Sequence, residues 1–160
     1  MRVKAIVDED FVNYKKASMF IATCFCDWKC CTEGGFDKSI CQNSPTAQQP
    51  NIEISYEEIF KRYISNPITS AIVIGGLEPF FQFTEILGLV IYFRSHGCQD
   101  DFVIYTGYRF DEVATFVLHL AKQQNIIIKY GRYVPGDSPH YDDVLGVNLA
   151  NREQYARRIS

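Results

Sequence analysis

Short apolar runs alternate with amphipathic segments along most of the chain. Four of these runs have the length of a strand and are almost wholly apolar: residues 18–23, 70–74, 102–105 and 125–129. Runs of this kind are typical of strands that a sheet buries on both faces. Residues 3–7 predict a further strand near the N-terminus.

Apolar residues recur at helical spacing between these runs. Residues 55–64 begin with a capping box formed by Ser55 and Glu58, which marks the start of a helix. A second helix is expected over residues 79–96, with Gly97 as its C-terminal cap.

A third helix is predicted after Asp111, a residue type that favours the N-terminal cap position. Regular alternation of strands and helices with short links implies parallel strands joined by right-handed crossovers. From Pro135 onward the periodicity weakens, and one late strand is expected at residues 144–149. The pattern as a whole predicts an α/β fold.

Composition narrows the possible partners. The 160 residues are 47% hydrophobic, 14% aromatic and 22% charged, with a net charge of −3, so one domain over residues 1–160 is expected. This charge argues against nucleic acid or an anionic membrane surface as the main partner, because both need clustered Lys and Arg. Neither a signal peptide nor a membrane-spanning segment is visible, which predicts a cytoplasmic protein.

Five of the six cysteines fall within one stretch of the chain: Cys24, Cys26, Cys30, Cys31 and Cys41. In a reducing compartment such a group favours metal binding over disulfides. No Cys-x-x-Cys pair is present, which weakens a zinc ribbon or a thioredoxin-type redox site. Cysteines in a loop that leaves a strand can instead wrap one iron–sulfur cluster, and the best set is Cys26, Cys30 and Cys41.

Three points about the cysteines stay open. Cys31 could replace Cys30 as a ligand in a shifted register. A structural zinc site is an alternative to the cluster. Cys24, at the end of a strand, and Cys98, after a helix, are expected to be small buried hydrophobic residues.

The chemically unusual segments all follow predicted strands. They are the cysteine loop at about residues 24–50, the Gly-Gly-Leu-Glu-Pro turn at residues 75–79, and residues 106–107 and 130–132. In parallel α/β folds, sites are built from the loops at the carboxyl ends of the strands. We therefore expect these four segments to share one face.

The cysteine loop resembles that of the radical S-adenosylmethionine superfamily. Residues 26–30 (Cys-Asp-Trp-Lys-Cys) match the first half of the superfamily's CxxxCxxC motif, and residues 40–43 (Ile-Cys-Gln-Asn) resemble its end. Ten residues separate Cys30 from Cys41, where the motif has two.

Two further segments extend the resemblance to the small activating proteins of anaerobic ribonucleotide reductases within that superfamily. Residues 75–79 resemble the superfamily's GGEP segment with Leu77 inserted, and residues 104–108 (Ile-Tyr-Thr-Gly-Tyr) resemble a strand end of the activators. The activators' N-terminal glycine–proline–glycine element is absent here.

The resemblance implies a small partial (β/α) barrel of mostly parallel strands. It also implies that Cys26, Cys30 and Cys41 hold three irons of a 4Fe-4S cluster and that S-adenosylmethionine chelates the fourth. Residues implied to contact S-adenosylmethionine are Ile40, Gly75, Gly76, Glu78 and Thr106.

The implied activity is that of a radical S-adenosylmethionine oxidoreductase. Reductive cleavage of S-adenosylmethionine would give a 5′-deoxyadenosyl radical that activates a partner glycyl-radical enzyme, such as anaerobic ribonucleotide reductase, with electrons from a flavodoxin-type reductant. Two alternatives stay open: a non-catalytic iron–sulfur or zinc-binding module on the same fold, and a radical enzyme that acts on a small molecule.

Overall fold

A six-stranded sheet forms the centre of the computed structural model, which describes residues 1–160. Its strands are β2 (Ala5–Asp10), β3 (Ser18–Thr23), β5 (Ala71–Gly76), β6 (Asp101–Tyr105), β7 (Ile126–Tyr130) and β10 (Tyr155–Arg158). Across the sheet they lie in the order β10-β7-β6-β5-β3-β2.

The four central strands are parallel, as the strand–helix alternation predicts. Ile74 of β5 lies beside Ile21 of β3 on one side and Ile104 of β6 on the other. Ile128 of β7 continues the row beside Ile104. All four isoleucines are buried, because a parallel sheet covered on both faces favours β-branched apolar residues.

Three helices cover one face of the sheet. They are α3 (Tyr56–Ile64), α4 (Phe83–Ser95) and α5 (Phe110–Leu120), and they share with the sheet a core of 20 buried residues. Two short helices, α1 (Lys29–Gly34) and α2 (Ser44–Ala47), precede them in the cysteine loop. The predicted cap of α3 is confirmed, because Ser55 Oγ accepts from the Glu58 amide at 3.1 Å. Gly97 follows α4 with φ 83°, a left-handed conformation that favours glycine at a helix end.

The other face of the sheet is covered by less regular chain. A smaller core of eight buried residues brings Tyr14, Leu145 and Leu149 against Val73 and Val103 of the sheet. The C-terminal part of this cover includes a hairpin of β8 (His140–Asp142) and β9 (Val147–Leu149). Only the second half of the predicted late strand at residues 144–149 therefore forms.

The sheet is mostly parallel, as expected. Both edge strands, β2 and β10, pair antiparallel with their neighbours, so the sheet is mixed. The prediction of one strand over residues 3–7 was wrong in part. The N-terminal run divides into β2 and β1 (Arg2–Val3), and β1 pairs with β4 (Ile52–Glu53) in a separate ladder. Edge strands are half-exposed and lack the apolar pattern that identifies central ones.

Two helix boundaries also differ from the prediction. Asp111 lies in the first turn of α5 and does not cap it; the N-cap is Arg109, whose amide donates to Glu112 at 2.7 Å. Residues Pro79–Gln82 form a 3₁₀ turn before α4 begins. The α/β class is confirmed, and no helix has the length and apolar content needed to cross a bilayer.

Candidate metal centre

A cavity of about 410 Å³ lies at the carboxyl ends of the central strands. Its lining includes residues that follow β3, β5, β6 and β7, as expected for parallel strands that end at one edge. The volume falls within the range of small-molecule and cofactor sites. All four segments that the sequence singled out contribute to this lining.

Four cysteine side chains line the cavity: Cys26, Cys30, Cys31 and Cys41. Cys26 and Cys30 are near enough to influence each other electrostatically, as are Cys31 and Cys41. Cys31 is only 4% exposed, whereas the other three are half-buried. The structure therefore brings the three predicted ligands together and adds Cys31 to them.

Cys24 and Cys98 lie outside this group. Cys24 is buried at the end of β3, and its amide donates to Gln82 Oε1 at 2.5 Å. Cys98 packs against the helix-side core and its Sγ lies 3.7 Å from a carboxylate oxygen of Asp100. Cys24 agrees with the expectation of a small buried hydrophobic residue, whereas Cys98 is only half-buried.

The cysteine loop is folded around its own thiols. The Trp28 amide donates to Cys26 Sγ at 3.2 Å, and Trp28 itself has a left-handed backbone at φ 61°. Immediately after this residue a short helix, α1 (Lys29–Gly34), carries Cys30 and Cys31. The loop is also tied to the next strand end, because Phe25 O accepts from the Glu78 amide at 2.7 Å.

The thiols of this group suit a metal with a strong affinity for sulfur. Burial raises the pKa of Cys26 to about 12, and it also raises the pKa of Cys30 and of Cys31. Burial raises the pKa of Cys24 and Cys98 in the same direction, so the shift does not distinguish this group. Four sulfur donors around one cavity do match the soft ligands of iron–sulfur clusters. The donor set therefore fits a cluster.

The spacing of the thiols is a second test of that fit. No three of the histidine, cysteine and acidic side chains converge closely enough to hold one metal ion. A 4Fe-4S cluster spreads its cysteine ligands over several irons, so its thiols need not meet at one point. The four thiols around one cavity are compatible with that arrangement.

The Gly-Gly-Leu-Glu-Pro turn forms the wall of the cavity that follows β5. Gly76 has φ 83°, and a Cβ there would lie 3.0 Å from the Cα of Ala22 on the neighbouring strand. Gly75 O accepts from Thr23 Oγ1 at 2.9 Å, which joins this turn to the end of β3. Glycine is required at Gly76 both for its backbone conformation and for the close approach.

Glu78 is buried at the end of this turn, with 5% of its surface exposed. Its Oε1 accepts from Thr106 Oγ1 at 2.7 Å and from the Phe80 amide at 3.1 Å, and its Oε2 accepts from the Gly107 amide at 2.9 Å. Burial raises the pKa of Glu78 to about 7, although these hydrogen bonds oppose the rise. The carboxylate joins the ends of β5 and β6 and keeps an acceptor position on Oε2.

Thr106 fixes the carboxylate of Glu78, and the contact with S-adenosylmethionine that the resemblance implies for it stays a prediction. Its hydroxyl donates to Glu78, and its oxygen accepts from the Tyr108 amide at 3.0 Å. Thr106 is 1% exposed but still lines the cavity. The observed contacts make it a support for Glu78.

Ile40 is not brought to the cavity. Its side chain is 51% exposed in a short turn before Cys41, and it is absent from the cavity lining. Its implied contact with S-adenosylmethionine stays a prediction.

Lys129 is the other charged residue of the cavity wall, at the end of β7. It is 6% exposed, forms no ion pair within 4.0 Å, and donates only to Gly131 O, at 3.4 Å. Burial lowers its pKa to about 8. Glu78 and Lys129 thus place one carboxyl group and one amino group, both with shifted pKa values, in the same cavity.

Sequence reasoning missed the chain segments that close the cavity on its far side. Val12 and Asn13 come from the loop after β2, and Val147, Leu149 and Gln154 come from the C-terminal segment. These segments lack the regular spacing of apolar residues that identifies a helix or strand. Only their mixture of apolar residues with Asn and Gln could have indicated that they line a cavity.

A charge network beside the cysteines was missed as well. Arg132, two residues after β7, pairs with Glu33 of α1 and with Glu112 of α5. Glu33 and Arg132 are 99 positions apart in sequence, so no local pattern could have linked them.

Comparison with known proteins identifies a family. A family model described as a 4Fe-4S single cluster domain matches residues 15–142, a range that includes every cysteine of the chain. Neither a curated protein nor a solved structure matches the chain.

Proposed function

We propose, from the premise that the chain belongs to the 4Fe-4S single cluster domain family, that it is a radical S-adenosylmethionine enzyme. In this proposal the sheet and helices form a small partial (β/α) barrel around the cavity. Its task is to activate a partner protein by forming a glycyl radical, as in the activators that the sequence resembles.

The cysteine ligands are assigned by their place in the cavity. Cys26, Cys30 and Cys41 would hold three irons of the cluster, because all three residues are half-buried and line the wall of the cavity. Cys31 lies deeper in the same wall and is the alternative to Cys30.

The turn after β5 supplies the binding groups for S-adenosylmethionine. The carbonyls of Gly75 and Gly76 and the unused position on Glu78 Oε2 can accept hydrogen bonds from the ligand's ammonium group. Thr106 and the Gly107 amide fix the carboxylate of Glu78 from the neighbouring strand end. When bound, the cluster supplies the electron for reductive cleavage of S-adenosylmethionine to methionine and a 5′-deoxyadenosyl radical.

The remaining walls of the cavity exclude water from this chemistry. Val147 and Leu149 close the C-terminal side, and Phe20 and Tyr105 form the floor. Apolar enclosure protects reactive species from side reactions with solvent. The open side of the cavity would receive the partner, a glycyl-radical enzyme-like protein, and a flavodoxin-type protein would supply electrons under anaerobic conditions.

The single observation that carries this proposal is the meeting of two segments around one cavity. The cysteine loop and the Gly75–Glu78 turn are far apart in sequence, yet their side chains line the same space and the Phe25–Glu78 hydrogen bond joins them. Reductive cleavage of S-adenosylmethionine requires cluster ligands beside a turn whose oxygen atoms can accept hydrogen bonds from the ligand's amino group.

Anaerobic reconstitution followed by electron paramagnetic resonance tests the proposal. We expect the signal of the dithionite-reduced protein to change when S-adenosylmethionine is added, and 5′-deoxyadenosine to be released. A full cluster whose signal is unaffected by S-adenosylmethionine, with no 5′-deoxyadenosine formed, would contradict it.

One observation favours a second candidate, a non-catalytic cluster module. Four thiols rather than three line the cavity, and four cysteine ligands would leave no iron open for S-adenosylmethionine. The variants Cys30→Ala and Cys31→Ala together separate the two functions. If three cysteines bind the cluster, one of these two variants keeps a 4Fe-4S cluster that still responds to S-adenosylmethionine; if four cysteines bind it, both variants lose iron.

A further inference from the structure

The helix that carries two of the cavity cysteines has little stability of its own. α1 has six residues, its N-cap Trp28 makes no side-chain capping bond, and no acidic residue lies in its first turn. Isolated helices of this length are unstable in water, so tertiary contacts must hold them. The position of Cys30 and Cys31 therefore depends on what fixes α1.

Arg132 makes a bidentate ion pair with α1. Its guanidinium pairs side-on with Glu33, Nε to Oε2 at 3.0 Å and Nη2 to Oε1 at 3.0 Å. Nη2 also lies 2.7 Å from Glu112 Oε1 at the start of α5. Only 4% of the Arg132 side chain is exposed. A bidentate arginine in this setting is better ordered than a surface ion pair.

The same guanidinium reaches the strand end that faces the cysteines. Nη1 donates to Gly107 O at 2.5 Å, and the group lies over the Tyr108 ring at 5.4 Å. A Cβ at Gly107 would lie 2.9 Å from Cys30 Sγ. Arg132 thus fixes both sides of the narrow space that holds the Cys30 thiol.

Neighbouring charges complete the contact. Lys29, in the first turn of α1, pairs with Glu112, and Arg109 reaches Glu33 at 3.4 Å. Charges of opposite sign therefore alternate between α1, the start of α5 and Arg132. No part of this network lines the cavity, so the ligand-binding assignments above do not explain it.

We propose that Arg132 and Glu33 are positioning residues that hold the cysteine helix α1 against the ends of β6 and β7. The proposal rests on the assignment of the cavity thiols as cluster ligands. Arg132 acts through the cysteines, because neither Arg132 nor Glu33 lines the cavity. Partners of this kind, one contact away from a metal ligand, affect metal retention strongly.

Glu33→Gln is the sharpest test. It removes the negative charge with which α1 binds Arg132, and the half-exposed site tolerates the change. Its matched control is Glu153→Gln, since Glu153 also pairs with Arg109 but lies outside α1. In metal-free protein, we expect iodoacetamide to modify Cys30 and Cys31 about tenfold faster in Glu33→Gln, through local opening of α1. Cys24 and Cys98 should react at the wild-type rate in both variants.

Two results of this experiment would overturn the proposal. One is equal modification rates of Cys30 and Cys31 in Glu33→Gln and Glu153→Gln. The other is a uniform increase at all six cysteines, because it would reveal a general loss of stability. Since no cluster is needed, these results are independent of whether the wild-type protein binds iron or cleaves S-adenosylmethionine.

Arg132 is tested in the reconstituted protein by the rate at which an iron chelator removes the cluster. We expect Arg132→Met to lose iron about 10- to 100-fold faster than the wild type. Arg132→Lys, which keeps the charge but not the fork geometry, should lie between them. The control is Arg152→Met at an exposed ion pair with Asp137, which should match the wild type. Wild-type release rates in Arg132→Met would contradict the proposal.

Discussion

Glu78 differs from an ordinary surface carboxylic acid in its burial and its hydrogen bonds. It is buried, and its carboxylate accepts hydrogen bonds from the Thr106 hydroxyl and the Gly107 amide. It lines the same cavity as the cysteines. Its pKa is raised to about 7 by burial. A residue with such a shift in a cavity is a candidate for a functional role, and its titration can be measured without any cofactor.

The stability of the metal-free protein should therefore depend on pH through Glu78. The folded-state pKa is raised, so the folded protein keeps a proton that the unfolded chain releases above its ordinary pKa of 4.5. Stability then falls as pH rises from 4.5 to 7, by about 3 kcal/mol in all. Denaturant unfolding at pH 5 and pH 8 measures this change.

Glu78→Gln is the comparison for that experiment. The variant has no carboxyl group at this site, so the change between pH 5 and pH 8 should shrink by most of the predicted amount. Parallel stability curves for the wild type and Glu78→Gln would show that Glu78 titrates at its ordinary pKa.

At the scale of elements, the turn after β5 is fixed by steric constraints. Gly76 has φ 83°, and a Cβ would approach both the Cα of Ala22 and the amide of Thr23. Gly97, at the end of α4, has the same φ of 83° but has no atom within 4 Å of a built Cβ. A side chain at Gly97 would therefore meet only the cost of the left-handed backbone, whereas a side chain at Gly76 would also meet steric crowding.

Alanine substitutions at these glycines should differ in effect. Gly97→Ala should lower the free energy of unfolding by about 1 kcal/mol, the cost of a left-handed backbone alone. Gly76→Ala should cost clearly more, about 3 kcal/mol, because the chain must also move away from β3. Guanidinium unfolding of both variants measures the difference. Equal losses would indicate that the β3–β5 contact yields easily at this point.

At the scale of the whole molecule, the central sheet could be predicted because its strands carry strong apolar runs. Residues 18–23 form β3 as predicted, and β5, β6 and β7 differ from their predicted bounds by a few residues at most. The last strand, β10, has the sequence Tyr-Ala-Arg-Arg and buries only Ala156. Its position is decided by pairing with β7, which no local pattern records.

The same limit applies to the site. Convergence of the four strand-end segments followed from topology alone, since parallel strands end at one edge. The fourth thiol in the cavity did not follow, because Cys31 is brought there by the fold of α1. The Arg132–Glu33 pair joins positions 99 residues apart, and only the folded chain brings them together.

We propose that Cys26, Cys30 and Cys41 bind an iron–sulfur cluster. The most direct test of this proposal is the iron, sulfide and zinc content of protein purified without oxygen, compared with a variant in which these three cysteines are alanine and with Cys98→Ala as control. We expect one 4Fe-4S cluster per chain in the wild type and in Cys98→Ala, and none in the triple variant. One zinc per chain without iron, or a full cluster in the triple variant, would contradict it.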